Sequence, residues 1–192
     1  MRKLLIGSIT AAIALPALAA LQSGAMAPMF ELRASLDGQE FDFSLADALE
    51  DGPVVVYFYP SAYTQGCNIQ AHEFSENMDS FRAAGATVVG VSLDSIERLN
   101  DFSADPDYCA GNLAVASDVS GDVARSYDLS VRDAPEDGFP DSRGVTIDHG
   151  FAERVTFVVL PDGSIAETIG GQGVSPVANV EQSLAAVQRL AQ

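Results

Sequence analysis

Three apolar, β-branched runs limit what this chain can become: Pro53 to Tyr59, Thr87 to Leu93 and Arg154 to Leu160. None alternates strictly between polar and apolar, so each reads as a strand buried on both faces in the middle of a covered sheet. Pro60 stops the first run, and Pro161-Asp162-Gly163 turns the third back into Ser164 to Ile169 as a hairpin.

Helical patterns lie between these strands. Cys67, Ala71, Phe74, Met78 and Phe81 recur at alternating spacings of four and three residues, which places them on one helical stripe. Thr64 is a suitable N-cap for that helix and Gly85 a suitable stop. Asp94-Ser95-Ile96-Glu97 has the form of a capping box and opens a helix that ends before Pro106. Leu113 to Ala116 reads as a short strand, Gly121 to Tyr127 as helical, and Val177 to Ala191 as a closing amphipathic helix. Upstream, Phe30-Glu31-Leu32 and Phe41-Asp42-Phe43 flank Asp37-Gly38, a strong hairpin signal, and Ser44 to Leu49 follows as a short helix. Ser130 to Gly150 is rich in Asp, Pro and Gly and is expected to be a long surface loop. Strands alternating with helices, then a terminal hairpin and helix, indicate an α/β fold: a central mixed sheet with helices on both faces. A strand–Cys–helix unit followed later by a β-hairpin is the order of a thioredoxin-like fold.

The first residues differ from the rest. Met1-Arg2-Lys3 is a basic head, Leu4 to Ala20 carries no charge, and Ala17-Leu18-Ala19 puts small residues where a signal peptidase reads. Residues 1–19 are therefore expected to be a signal peptide, leaving residues 20–192 as a single domain exported to the periplasm of a bacterium. An uncleaved anchor is the rival; the apolar stretch is at the short end for a bilayer span, and Pro16 would break it. Ala25-Met26-Ala27 is a second candidate cleavage site. After cleavage at Ala19 no stable membrane insertion is expected. Losing Arg2 and Lys3 leaves eight basic residues against 27 acidic ones, a net charge of −19. Such a polyanion repels phosphate backbones, which argues against a nucleic-acid partner.

The chemistry is concentrated in Tyr59-Pro60-Ser61-Ala62-Tyr63-Thr64-Gln65-Gly66-Cys67. With Thr64 as the cap, Cys67 falls in the first helical turn. There, free backbone N–H groups and the positive end of the helix dipole favour thiolate over thiol. A thiolate is the form that attacks an O–O bond. The two cysteines, Cys67 and Cys109, are also open to a plain structural disulfide. His72 and His149 are the only histidines and have no partners at metal-ligand spacing, so neither a metal nor a cofactor is expected.

The run resembles the active-site motif of the peroxiredoxin family, Pro-x-x-x-Thr/Ser-x-x-Cys, with Pro60, Thr64 and Cys67 in register. The resemblance extends to Ala27-Pro28-Met29-Phe30, to Gln70 and Phe74 on the following helix, to Val89-Gly90-Val91-Ser92, and to Arg154-Val155-Thr156-Phe157. It covers roughly Gly24 to Ile169, and the nearest subgroup is the Q-type, or bacterioferritin-comigratory, peroxiredoxins.

That resemblance implies a thiol-dependent peroxidase acting on hydrogen peroxide and small organic hydroperoxides. Cys67 would be the nucleophile and become a sulfenic acid. Thr64 would orient the peroxide, Arg154 would stabilise the thiolate and the leaving oxygen, and Pro60 would shield the sulfur. A thioredoxin-like protein or a small thiol would be the reductant, and the enzyme would be a monomer. Gln65 replaces the family's usual Pro, and His72 stands where many Q-type members carry a resolving cysteine. Cys109 is left as the internal resolver, with a one-Cys mechanism or a structural Cys109 as alternatives. Two rivals stay open: a thioredoxin-like thiol–disulfide oxidoreductase, against which Gln70 stands where Cys-x-x-Cys would need its second cysteine, and a non-catalytic exported domain with a structural Cys67–Cys109 disulfide.

Overall fold

The computed structural model describes residues 20–171 and 173–192; the expected leader and its first cleavage site, within residues 1–19, lie outside them. The chain begins with the hairpin β1 (Glu31–Leu36) and β2 (Gln39–Ser44). Asp37 and Gly38 both take positive φ, 50° and 71°, as a tight two-residue hairpin turn demands. Then follow α1 (Leu45–Asp51), β3 (Val54–Phe58), α2 (Gln65–Ala83), β4 (Thr87–Ser92), α3 (Ile96–Ala104), β5 (Ala114–Ser117) and α4 (Asp122–Ser126). Four two-residue strands come next: β6 (Val131–Arg132), β7 (Phe139–Pro140), β8 (Thr146–Ile147) and β9 (Phe151–Ala152). The chain closes with β10 (Val155–Val159), β11 (Ile165–Gly170) and α5 (Pro176–Leu190).

Seven strands form one mixed sheet in the order β11-β10-β3-β4-β5-β1-β2. The β3–β4 and β4–β5 pairs are parallel, and the other pairs are antiparallel. The three sequence runs are its centre, β10, β3 and β4, and every residue of β3 and β10 is buried. Side-chain alternation splits β3 between two cores. Val55, Tyr57 and Tyr59 pack with Cys67, Phe74 and Phe81 of α2, Leu99 and Phe102 of α3, and Val187 of α5. Val54, Val56 and Phe58 pack on the other face with Leu45 and Leu49 of α1 and Ala124 and Tyr127 around α4. The helices therefore cover both faces.

Three local expectations are corrected. Thr64 occupies the N-cap position of α2, but its side chain makes no capping bond; the hydroxyl donates instead to the Ser61 carbonyl at 2.9 Å. Ser95, not Asp94, caps α3 by accepting from the Arg98 amide. Residues 130–150 are not a plain surface loop. They carry three of the short strands, bury Asp141 and Ile147, and reach back to the end of β3.

Candidate active site

The sheet brings the site together. Because β10 runs antiparallel to β3, with Val155 opposite Phe58, the residue just before β10 meets the segment just after β3. Arg154 thus lies beside the first turn of α2, and its Nη2 donates to Cys67 Sγ at 3.2 Å. Gly66 permits this approach: a Cβ there would stand 3.1 Å from Nη2. Cys67 is almost fully buried, at 1% exposure, so few waters compete with the guanidinium for its sulfur.

The amides of Gln65 and Gly66, first in the helix, have no carbonyl one turn earlier to bond. The Cys67 amide donates to the Thr64 carbonyl at 3.0 Å, so the amide cluster around the sulfur is smaller than the sequence suggested. The Thr64 hydroxyl has given its hydrogen to Ser61, which leaves its oxygen free to accept one from an incoming O–H. Pro60 and Thr64 border a cleft of about 340 Å³ that Arg132, Asp133, Pro135, Phe139 and Phe151 also line. His72 is exposed on the outer face of α2, away from the buried stripe of Cys67, Ala71 and Phe74.

Cys109 sits in the turn after α3, fully buried in the same core as Cys67, and both are free thiols. Burial, with the nearby Asp105 charge adding to it, pushes the Cys109 thiol well above its ordinary range, so it is protonated at neutral pH. The two cysteine segments touch through Tyr63 and Tyr108, whose rings meet edge to face at 5.7 Å.

Residues with no assigned role at the site in the sequence hold the Tyr59-to-Cys67 run in place. Asp94 is fully buried. It accepts from the Ser61 hydroxyl (2.8 Å), the Ala62 amide (2.8 Å) and the Ser92 hydroxyl (2.7 Å), and His149 Nε2 lies 2.9 Å from it. Arg98 Nε is 2.8 Å from the same carboxylate, though without a well-aligned N–H, and Arg98 Nη2 bonds both the Ala62 carbonyl and Asp141. Burial alone would raise the Asp94 carboxyl; the bond and charge of His149, with the Ala62 and Ser92 donors, outweigh it and hold the group below its ordinary value of 3.8. Burial likewise works against the His149 cation, but Asp94 holds the imidazole above its ordinary 6.5. The only sequence hint was position: Asp94 follows a buried strand on the side where Pro60 ends its neighbour. Tyr63 adopts φ 60°, unusual for a residue with a Cβ, and is clamped by the Arg143 guanidinium 3.3 Å above its ring.

Fold and site define the class: a buried cysteine sulfur at a helix start, faced by an arginine, on a thioredoxin-like sheet. The AhpC/TSA family model matches residues 23–168. Peroxiredoxin Bcp of Escherichia coli (strain K12) is 33% identical over 145 residues, 76% of this chain and 83% of that protein. The crystal structure of peroxidoxin BcpB from Mycobacterium tuberculosis matches with a TM-score of 0.71 at 25% identity, covering 88% of this chain and 98% of that one. The Xanthomonas campestris bacterioferritin comigratory protein, whose structures were described for its alkyl peroxide reduction activity, matches at 0.64 and 25%, covering 84% and 92%. This chain belongs to the AhpC/TSA family of peroxiredoxins, with relatives of the Q or bacterioferritin-comigratory type. It is a thiol-dependent peroxidase, an oxidoreductase with the thioredoxin-like fold of that family.

Proposed function

We propose that the chain reduces hydrogen peroxide and small organic hydroperoxides through Cys67, and that Cys109 resolves the product. The observation that carries this reading is the 3.2 Å contact between Arg154 and Cys67 at the start of α2. The Cys67 thiolate attacks one peroxide oxygen, the O–O bond breaks, and the other oxygen leaves as alcohol or water once protonated. Arg154 faces the negative charge as it moves from sulfur to the leaving oxygen, in a site that largely excludes water. Cys67 is left as a sulfenic acid. The Cys109 thiol then displaces water from it to form a disulfide, and an external dithiol of thioredoxin type returns both sulfurs to thiols. The Phe139 and Phe151 wall supports the organic substrates, as does the activity described for the Xanthomonas protein. Because Cys109 is buried and protonated, resolution requires the first turn of α2 to open, so it should be slower than the oxidation.

Titrating the reduced protein with hydrogen peroxide while trapping sulfenic acid tests the reading. One equivalent trapped at Cys67 is expected. Efficient insulin reduction with slow trapping would favour a thiol–disulfide oxidoreductase. Cys109→Ser should keep the first oxidation and lose the intramolecular disulfide; unchanged turnover with a dithiol would remove Cys109 from the mechanism. We further propose that the enzyme is exported, on the strength of the basic head and uncharged stretch before Ala20. N-terminal sequencing of protein from cells should find Met1 gone, and an intact Met1 would refute cleavage.

A further inference from the structure

Arg154 Nη1 donates to the side-chain oxygen of Gln70, a fully buried residue of α2. An amide has two unlike ends, and if Gln70 were turned over its NH₂ would face the guanidinium and repel it. Something must therefore fix its orientation. The Gln70 Nε2 donates to Asn179 Oδ1 at 2.9 Å, and the Thr156 hydroxyl donates to the same oxygen at 2.7 Å. Asn179 is itself fixed, because its Nδ2 donates at 3.1 Å to the Ile169 carbonyl, a group that can only accept. The polarity of the whole row follows from that carbonyl: it sets the Asn179 amide, which sets Gln70, which presents an oxygen to Arg154, which aims Nη2 at Cys67.

We infer that Asn179, on α5 and out of contact with substrate, is a positioning residue for the peroxide reaction: it orients the Gln70 amide so that Arg154 is held against the Cys67 sulfur. This rests on the reading of Cys67 as the reacting thiol. A neutral Gln70 is suited to the task, since it anchors the guanidinium without neutralising the charge that the sulfur uses.

A merely structural role for Asn179 would not produce the following pattern. A glutamate has two equivalent oxygens and needs no orienting partner. The readout is the ultraviolet thiolate absorbance of Cys67 against pH in a Cys109→Ser background, corrected by Cys67→Ser; it needs no turnover. Asn179→Ala should move the midpoint of thiolate formation up by about one pH unit, a typical effect of losing a nearby opposite charge. At pH values below the midpoint the oxidation rate by hydrogen peroxide should fall about tenfold, since there one unit is a tenfold change in ionised fraction. In a Gln70→Glu background the same Asn179→Ala change should leave the midpoint within about 0.3 units, well below the one-unit effect. An unshifted midpoint in Asn179→Ala, or an equal shift in both backgrounds, overturns the inference. If Asn179→Ala does not fold, Asn179→Leu keeps the volume and is read in the same way. A wild-type protein with a normal titration but no peroxide reaction would sink the peroxidase reading while leaving the positioning role to be judged by the midpoints.

Discussion

Arg154→Met should slow the oxidation of Cys67 by hydrogen peroxide about 10²- to 10³-fold, roughly the 3–4 kcal/mol lost when one preorganised donor to developing charge is removed. Methionine fills the space but carries no charge. The sulfur then loses the cationic hydrogen-bond donor Nη2 at 3.2 Å, and Gln70 loses the donor to its buried oxygen. Arg154→Lys should fall between the two, because a single ammonium cannot reach Gln70 and Cys67 together as the two arms of a guanidinium do. The chain has no tryptophan, so the rate is best followed by peroxide consumption or by competition with a reporter peroxidase. A methionine variant within about twofold of wild type would contradict the electrostatic role.

Asp94→Ala should cost stability rather than chemistry first. It leaves Arg98 and His149 beside a buried gap and strips two bonds, from Ser61 and Ala62, from the run that leads to Cys67, together with the contacts to Ser92 and His149. Breaking a buried ionic cluster by removing one partner typically costs about 3–5 kcal/mol. For a domain of this size that lowers Tm on the order of 10 °C. The pH dependence has a definite sign on each flank. The Asp94 carboxyl is held below its ordinary 3.8 in the folded state, so its contribution is present above that value and disappears as acid takes the pH through the lower, folded value. His149 is held above its ordinary 6.5, so its contribution is complete below 6.5 and disappears as the pH rises through the higher, folded value. The pair therefore stabilises most between about pH 4 and 6.5. Asp94→Asn should flatten both flanks of a denaturant-midpoint profile against pH, and a variant profile parallel to wild type would show that the pair contributes little.

The architecture was legible because it rests on patterns that survive any tertiary detail. Three unbroken apolar runs became the central strands, and the Cys67-to-Phe81 stripe became the buried face of α2. Cys67, Thr64, Pro60 and Arg154 stood out through the resemblance to the peroxiredoxin motifs, and the fold brings all four to one end of β3. What could not be read was polar and nonlocal. Asp94 looked like a helix cap because its neighbours fit a capping box, but partners from residues 61 to 149 claim it. Asn179 sits in a helix whose sequence announces only amphipathicity, and its meaning depends on a carbonyl of β11. The 130–150 segment looked like solvent-facing loop because Asp and Gly dominate it; its anchors, Asp141 and His149, are single residues with no periodicity to betray them.

The hydrogen bond from Arg154 to the Cys67 sulfur joins residues 87 positions apart, and it closes only when β10 pairs with β3. Contacts of such separation form late, after local helices and turns. Until those strands pair, Arg154 is not held beside the Cys67 thiol. With Cys67 as the proposed reacting thiol, its activation by Arg154 would arrive together with the completed sheet rather than ahead of it.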